Sequence, residues 1–338
     1  MVGYPNLTIM QPKRYLAVPF MLIAVLVFAL GCSSGDDGNS GTDSAEATAT
    51  TTVDHQYGST VIDGVPKRVV TLTGATAWTD SLIKLDVPIT AEFVSAGYSG
   101  PDNRFAWTPP HESTVIPVDV GASPGVAEVA KFEPDLILAG YLPDRAAYDV
   151  LAKVAPTIPV MSTETVNDTW QQVLSTAGKI FDKEDQASQA QTEVEEKIDA
   201  IKKKYPAAQD KTATFGQLTP ERQFGVVTSD NDPSAKLLAE VGLRLDPAVT
   251  GLSDNGQRVV VSSERVDLLG SDLLIFWPLV GGPEVFETIP GWDSLPAVRS
   301  GATVFLTNDT ASAFGTPTVY SVPWAVDALE PALAKIAS

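Results

Sequence analysis

From residue 61 onward, short apolar runs alternate with stretches of helical period, and this alternation predicts the fold. Arg68–Leu72 reads as a buried strand, Ala75–Leu85 as a helix and Ile89–Val94 as a second strand. Residues 95–117 carry Gly97, Gly100, Pro101, Pro109, Pro110 and Pro117 and read as a long irregular connection. Gly125–Phe132 then reads as a short helix, Asp135–Ala139 as a strand and Arg145–Val154 as a helix. Strands separated by helices of this length argue for a parallel α/β sheet.

The middle of the chain breaks the rhythm. Val166, Trp170, Val173, Leu174, Ala177, Ile180 and Phe181 recur at helical spacing. A second register follows, with Ala187, Ala190, Val194, Ile198, Ile201 and Tyr205 on one face and Glu193, Glu195, Glu196, Lys197, Lys202 and Lys203 on the other. Glu184–Lys204 would span roughly 30 Å as a helix, and Pro206 stops it. Alternation then resumes. Thr212–Leu218 and Gln223–Thr228 read as strands, and Pro233–Val241 as a helix. Ser262–Leu269 reads as a short helix capped by Ser262 or Ser263, Leu273–Trp277 and Thr303–Leu306 as strands, and Pro323–Ile336 as the last helix. The expected layout is an α/β lobe (61–182), a single long helix (183–206) and a second α/β lobe (207–338).

The first 31 residues stand apart. Lys13 and Arg14 precede an apolar run, Tyr15–Leu30, interrupted only by Pro19. That run is shorter than the roughly 20 residues of a membrane-spanning helix and fits a signal peptide. Ala29–Cys32 resembles the lipobox of bacterial lipoproteins, although the usual pattern has Leu three before the cysteine and a small residue two before, where this chain has Ala29 and Leu30. Cys32 is the only cysteine, and a thioether-linked lipid there would explain why an exported chain keeps one unpaired thiol. Residues 32–60 read as the lipidated cysteine and a flexible linker, since Ser33–Thr52 holds Ser, Gly, Asp, Ala and Thr and no large apolar side chain.

Composition narrows the function. The 338 residues are 44% hydrophobic, and 42 acidic residues against 23 basic ones give a net charge of −19. No basic footprint for nucleic acid is present. One cysteine and two histidines exclude a disulfide framework and leave too few ligands for a usual structural zinc site. There is no phosphate-binding loop or dinucleotide fingerprint, and His55 falls in the linker. Carboxylate pairs are a catalytic arrangement the sequence leaves open, and the expectation is that the chain is not an enzyme.

Several segments, in order, resemble the class III substrate-binding proteins of ABC importers for iron-siderophores, haem and cobalamin. These are Lys67–Leu72 (KRVVTL), Ala127–Ala139 (AEVAKFEPDLILA), Tyr148–Pro159 (YDVLAKVAPTIP), Ser263–Phe276 (SERVDLLGSDLLIF) and Gly291–Leu306 (GWDSLPAVRSGATVFL). The resemblance implies two Rossmann-like lobes with central parallel sheets joined by one long rigid helix, with ligand in the cleft between them. It implies a monomer with no permanently bound cofactor that hands its cargo to an importer permease, held to the membrane by its lipid. It also implies one docking carboxylate per lobe. Glu264 stands at the matching second-lobe position, whereas in the first lobe the match falls on Ala127 and Glu128 lies one residue later. A further departure is Asp86, where the family usually has glycine.

Ligands of open α/β sheets bind beyond the carboxyl ends of strands. That rule selects Thr73, Thr76, Trp78, Tyr98, Arg104, Trp107, Tyr141, Arg222, Trp277 and Phe314. Trp78 suits the core equally well, and Arg222 could equally be a surface charge beside Glu221. Trp170 and Trp292 read as core, and His111 as a loop surface residue. Aromatic faces with a few arginines suit a bulky, partly apolar, often anionic ferric siderophore. The set has no residues expected to ligate the metal directly. The alternatives are haem or a corrinoid, with Tyr98, Tyr141 or His111 as an axial ligand, and a surface interaction protein without a transport role.

Overall fold

A computed structural model describes residues 50–336, apart from 101, 164, 166, 254, 255 and 257. The expected signal peptide, Cys32 and Val166 lie outside these residues.

A hairpin opens the described chain, β1 (Thr50–His55) paired antiparallel with β2 (Gly58–Asp63). Alternation buries Val53 and His55 on one strand and Thr60 and Ile62 on the other, and the Thr and Val residues favour extended backbone. Gln56 N–H donates to Val160 O at 3.1 Å and the Thr60 hydroxyl to Thr157 O at 2.9 Å, so the hairpin is fastened to the first lobe. The flexible linker expected as far as residue 60 is corrected accordingly: residues 50–60 are folded, and His55 is buried.

The first lobe holds β3 (Val69–Gly74), α1 (Thr76–Lys84), β4 (Ala91–Ser95), β5 (Thr114–Val118), α2 (Val126–Ala130), β6 (Leu136–Gly140), α3 (Arg145–Leu151), β7 (Thr157–Pro159) and α4 (Trp170–Ile180). Its five strands lie in the order β5-β4-β3-β6-β7, all parallel. The stretch expected to be irregular from 95 to 117 ends in β5, an edge strand where the missing N–H of Pro117 is tolerated.

Helix α5 (Glu184–Lys204) follows, 21 residues with Ala187, Ala190, Val194, Ile198 and Ile201 buried. Glu184 and Asp185 in its first turn and Lys202, Lys203 and Lys204 in its last complement the helix dipole. It packs on α4 on one side. Lys84 of α1 reaches Glu193 at 2.8 Å.

The second lobe holds β8 (Thr212–Leu218), β9 (Gln223–Val226), α6 (Pro233–Glu240), β10 (Arg244–Leu245), α7 (Pro247–Thr250), β11 (Val259–Ser262), β12 (Leu273–Pro278), α8 (Glu284–Glu287), α9 (Pro296–Ser300), β13 (Thr303–Phe305), α10 (Asn308–Gly315) and α11 (Ser321–Ile336). The parallel core of its sheet is β8-β12-β13, with β10 also parallel on β8, and β9 and β11 add antiparallel strands at one edge. Helix α5 also packs on α11, where Lys197 pairs with Asp327 at 2.6 Å and Glu330 receives Lys204 and the Tyr205 hydroxyl. One helix is thus tied to both lobes by packing and by ion pairs.

Candidate functional site

The carboxyl ends of β3, β4, β8 and β12 open on a cavity of about 340 Å³ between the lobes. From the first lobe come Thr73 after β3, Thr76 at the start of α1, Ser95 at the end of β4, and Tyr98, Arg104, Phe105, Thr108 and His111 from the connection that follows. The second lobe supplies Phe215, Gln217, Arg258, Trp277, Asn308 and Ser312. Gly140 closes β6 with φ +58°, where a Cβ would lie only 2.0 Å from Gly74 O, so the ends of β3 and β6 can approach beside this opening.

Five of the predicted residues line the cavity: Thr73, Thr76, Tyr98, Arg104 and Trp277. The other five do not. Trp78 is 1% exposed and belongs to the core. Trp107 turns inward, where its ring stacks on Phe105 at 4.8 Å and its indole N–H donates to Asp80 Oδ2 at 3.1 Å. Phe314 is not in a loop but in α10, fully buried, 5.5 Å from the Phe215 ring. Both Trp107 and Phe314 therefore support cavity-lining aromatics from one layer behind. Arg222 sits in left-handed backbone (φ +61°) and donates to the Thr288 hydroxyl, away from the cavity. Tyr141 is half exposed and also stands outside the lining.

The cavity holds two buried carboxylates that the strand-end rule does not select. Asp80, fully buried on α1, accepts from Trp107 Nε1, from the Thr108 hydroxyl at 2.9 Å and from the Thr318 hydroxyl. Thr318 belongs to the second lobe, and its Oγ1 in turn accepts the backbone N–H of Ser321 at 2.9 Å at the start of α11. Burial pushes the Asp80 carboxyl up to about 6, against the pull of its three hydrogen bonds. Glu92 on β4 is the second, and it accepts from the Ser113 hydroxyl and lies 2.6 Å from His111 Nε2. The surface position expected for His111 is corrected by this contact: its side chain is only 11% exposed, because a buried carboxylate gives the ring a partner. A lone Asp within the apolar segment of α1, and a Glu within the buried strand β4, were the sequence signals for both.

Positive charge enters from both lobes. Arg104 stands beside His111, and Arg258 is held by Asp232 through Nε at 3.2 Å and Nη2 at 3.0 Å. Among the described residues, no group of three or more His, Cys, Asp or Glu is placed to hold a metal ion. Glu264 and Glu128 are both exposed, each in the first turn of its helical segment.

Similarity to known proteins agrees with this architecture. The chain is 25% identical to the Fe(3+)-citrate-binding protein YfmC of Bacillus subtilis, over 89% of this chain and 92% of that protein. It is 27% identical to YhfQ of the same organism, which carries the name of an ABC transporter substrate-binding lipoprotein, over 86% of this chain and 88% of that one. The structure of Streptococcus pneumoniae PiaA in complex with ferrichrome superposes with a TM-score of 0.67 at 21% identity, covering 84% of this chain and 99% of PiaA. These proteins are binding components of transport systems and not enzymes. With residues 92–310 matching the family's model and the two lobes closing on a cavity at their strand ends, the chain belongs to the periplasmic binding proteins.

Proposed function

We propose that this chain captures a ferric siderophore or a comparable iron chelate in the interlobe cavity and delivers it to the permease of an ABC importer. The observation that carries this is the lining itself: aromatic faces (Tyr98, Phe105, Trp277) and a guanidinium from each lobe around one 340 Å³ space. Such a lining supplies contact area and anion recognition for an already chelated metal. The names of YfmC and of the ferrichrome complex point the same way. Haem is the weaker reading. Tyr141 lies off the cavity, and His111 has both ring nitrogens engaged. Of the three axial candidates Tyr98 and His111 stand in the lining, and the engagement of His111 leaves Tyr98 as the one haem would take.

Titration with ferric citrate, ferric hydroxamates and ferric catecholates should quench tryptophan fluorescence, and free iron should not. Trp277→Phe should remove most of the change, because Trp277 is the one tryptophan in the lining. No response to any of these chelates would sink the proposal.

Delivery adds three further elements. The chain acts as an extracytoplasmic monomer, anchored through a lipid on Cys32. Such an anchor raises the local concentration near the permease. Glu264 and Glu128 dock on permease cations, one from each lobe. Glu264→Lys with Glu128→Lys should lower chelate uptake by cells about tenfold or more while leaving chelate affinity unchanged. Undiminished uptake in the double variant would remove both docking roles.

A further inference from the structure

Arg104 enters the cavity from an irregular loop, and a free arginine there would sample many rotamers. The local backbone does little to restrain it. Gly100 N–H bonds Arg104 O at 2.9 Å, and Asn103 takes φ +54°. What fixes the guanidinium is a single residue, His111. Arg104 Nη1 lies 2.9 Å from His111 Nδ1, and Nη2 donates to the His111 carbonyl at 3.1 Å.

The protonation pattern follows from the partners. Arginine can only donate, so in the tautomer that receives Arg104 His111 Nδ1 accepts and the ring proton is on Nε2, directed at Glu92 Oε1 at 2.6 Å. Glu92, on the rigid strand β4, therefore sets the tautomer that receives Arg104. A proton on Nδ1 would instead turn to the Pro109 carbonyl, 2.9 Å away, and leave the guanidinium only its backbone contact.

Charge accounting within the cavity gives this arrangement a purpose. Both carboxylates in the lining have partners, Asp80 three donors over its two oxygens and Glu92 His111 and Ser113, both at Oε1. Among the described residues, the remaining N–H groups of Arg104 have no protein partner, and they belong to a half-buried side chain that lines the cavity. Arg104 thus keeps unspent donors with positive charge in the lining. A planar guanidinium held in one orientation matches carboxylate or catecholate oxygens and gains little from an uncharged chelate.

The geometry points to His111, backed by Glu92, as the positioning residue that aims Arg104 into the cavity and thereby selects ferric chelates bearing anionic oxygens. This rests on the cavity being the chelate site. Isothermal titration of the purified full chain with ferric citrate and with uncharged ferrichrome tests it. The wild type should prefer ferric citrate. His111→Ala should weaken ferric citrate binding about tenfold and change ferrichrome binding less than about twofold. His111→Gln, which keeps an acceptor and a donor on one amide, should restore most of the loss.

Arg104→Gln, a change at a half-buried loop position, should reproduce the selective loss. Adding His111→Ala to it should then change affinity by less than about twofold, since His111 acts through Arg104. Equal weakening of both chelates by His111→Ala, a further large loss in the double variant, or a wild-type preference for ferrichrome would each overturn the positioning role alone. A wild type that binds neither chelate would overturn the cavity assignment, and the positioning role with it.

Discussion

Asp80→Asn should raise stability at about pH 8, and the gain should fade as pH drops to about 4. Burial pushes Asp80 up to about 6 from 3.8. A carboxyl whose pKa is raised by folding contributes most below its unfolded value, and that contribution is lost as pH rises through about 6. The shift corresponds to about 3 kcal/mol against folding once the group is ionised. Asparagine fits the partners. Trp107 and Thr318 both donate to Oδ2, which an amide oxygen can replace, and the Thr108 hydroxyl at Oδ1 can turn to accept from an amide N–H. Thermal unfolding from pH 4 to pH 8 should show a gain of roughly 5 °C at the upper end, and none at the lower. A difference that does not vary with pH, or an Asn variant no more stable than the parent at pH 8, would refute the electrostatic account.

Trp292→Ala should destabilise the second lobe by about 3–5 kcal/mol in urea unfolding. The indole is 2% exposed and lies among four phenylalanines. It stacks on Phe224 at 6.0 Å with the ring planes 8° apart, and meets Phe286 at 5.0 Å, Phe276 edge-on at 6.2 Å and Phe305 at 6.4 Å. No compact rearrangement of those rings fills the volume of a tryptophan, so a cavity remains. None of the five rings lines the interlobe cavity, and the folded variant should keep the parent's chelate affinity. A loss below about 1 kcal/mol would mean that the cluster collapses around the gap.

What could be read in the chain beforehand depended on whether a signal was local. Helix α5 matches its expected limits, Glu184 and Lys204, because half of it faces water: the buried stripe, the charged first and last turns and Pro206 all show in sequence. The hairpin β1–β2 was hidden by its composition. Thr, Ser, Gly and Asp look like linker, and only Val53 and Ile62 betray the alternation. In the site, the strand-end rule finds the segments but not which way a side chain turns. It finds Thr73, Tyr98 and Trp277 correctly, yet Trp107 points at Asp80 and Phe314 packs on Phe215, because each meets a buried partner from a distant part of the chain. The Glu92–His111–Arg104 chain was out of reach for the same reason, since β4 and the following loop must first fold together.

The hydrogen bond from Thr318 to Asp80 also orders events in time. All five strands of the first sheet lie between residues 69 and 159, so that sheet can assemble before the second lobe is in place. Its one cross-lobe donor arrives 238 residues after Asp80. Until then the Asp80 carboxylate waits with an incomplete set of partners, and Thr318, at the threshold of α11, completes the junction only when the second lobe has folded against the first.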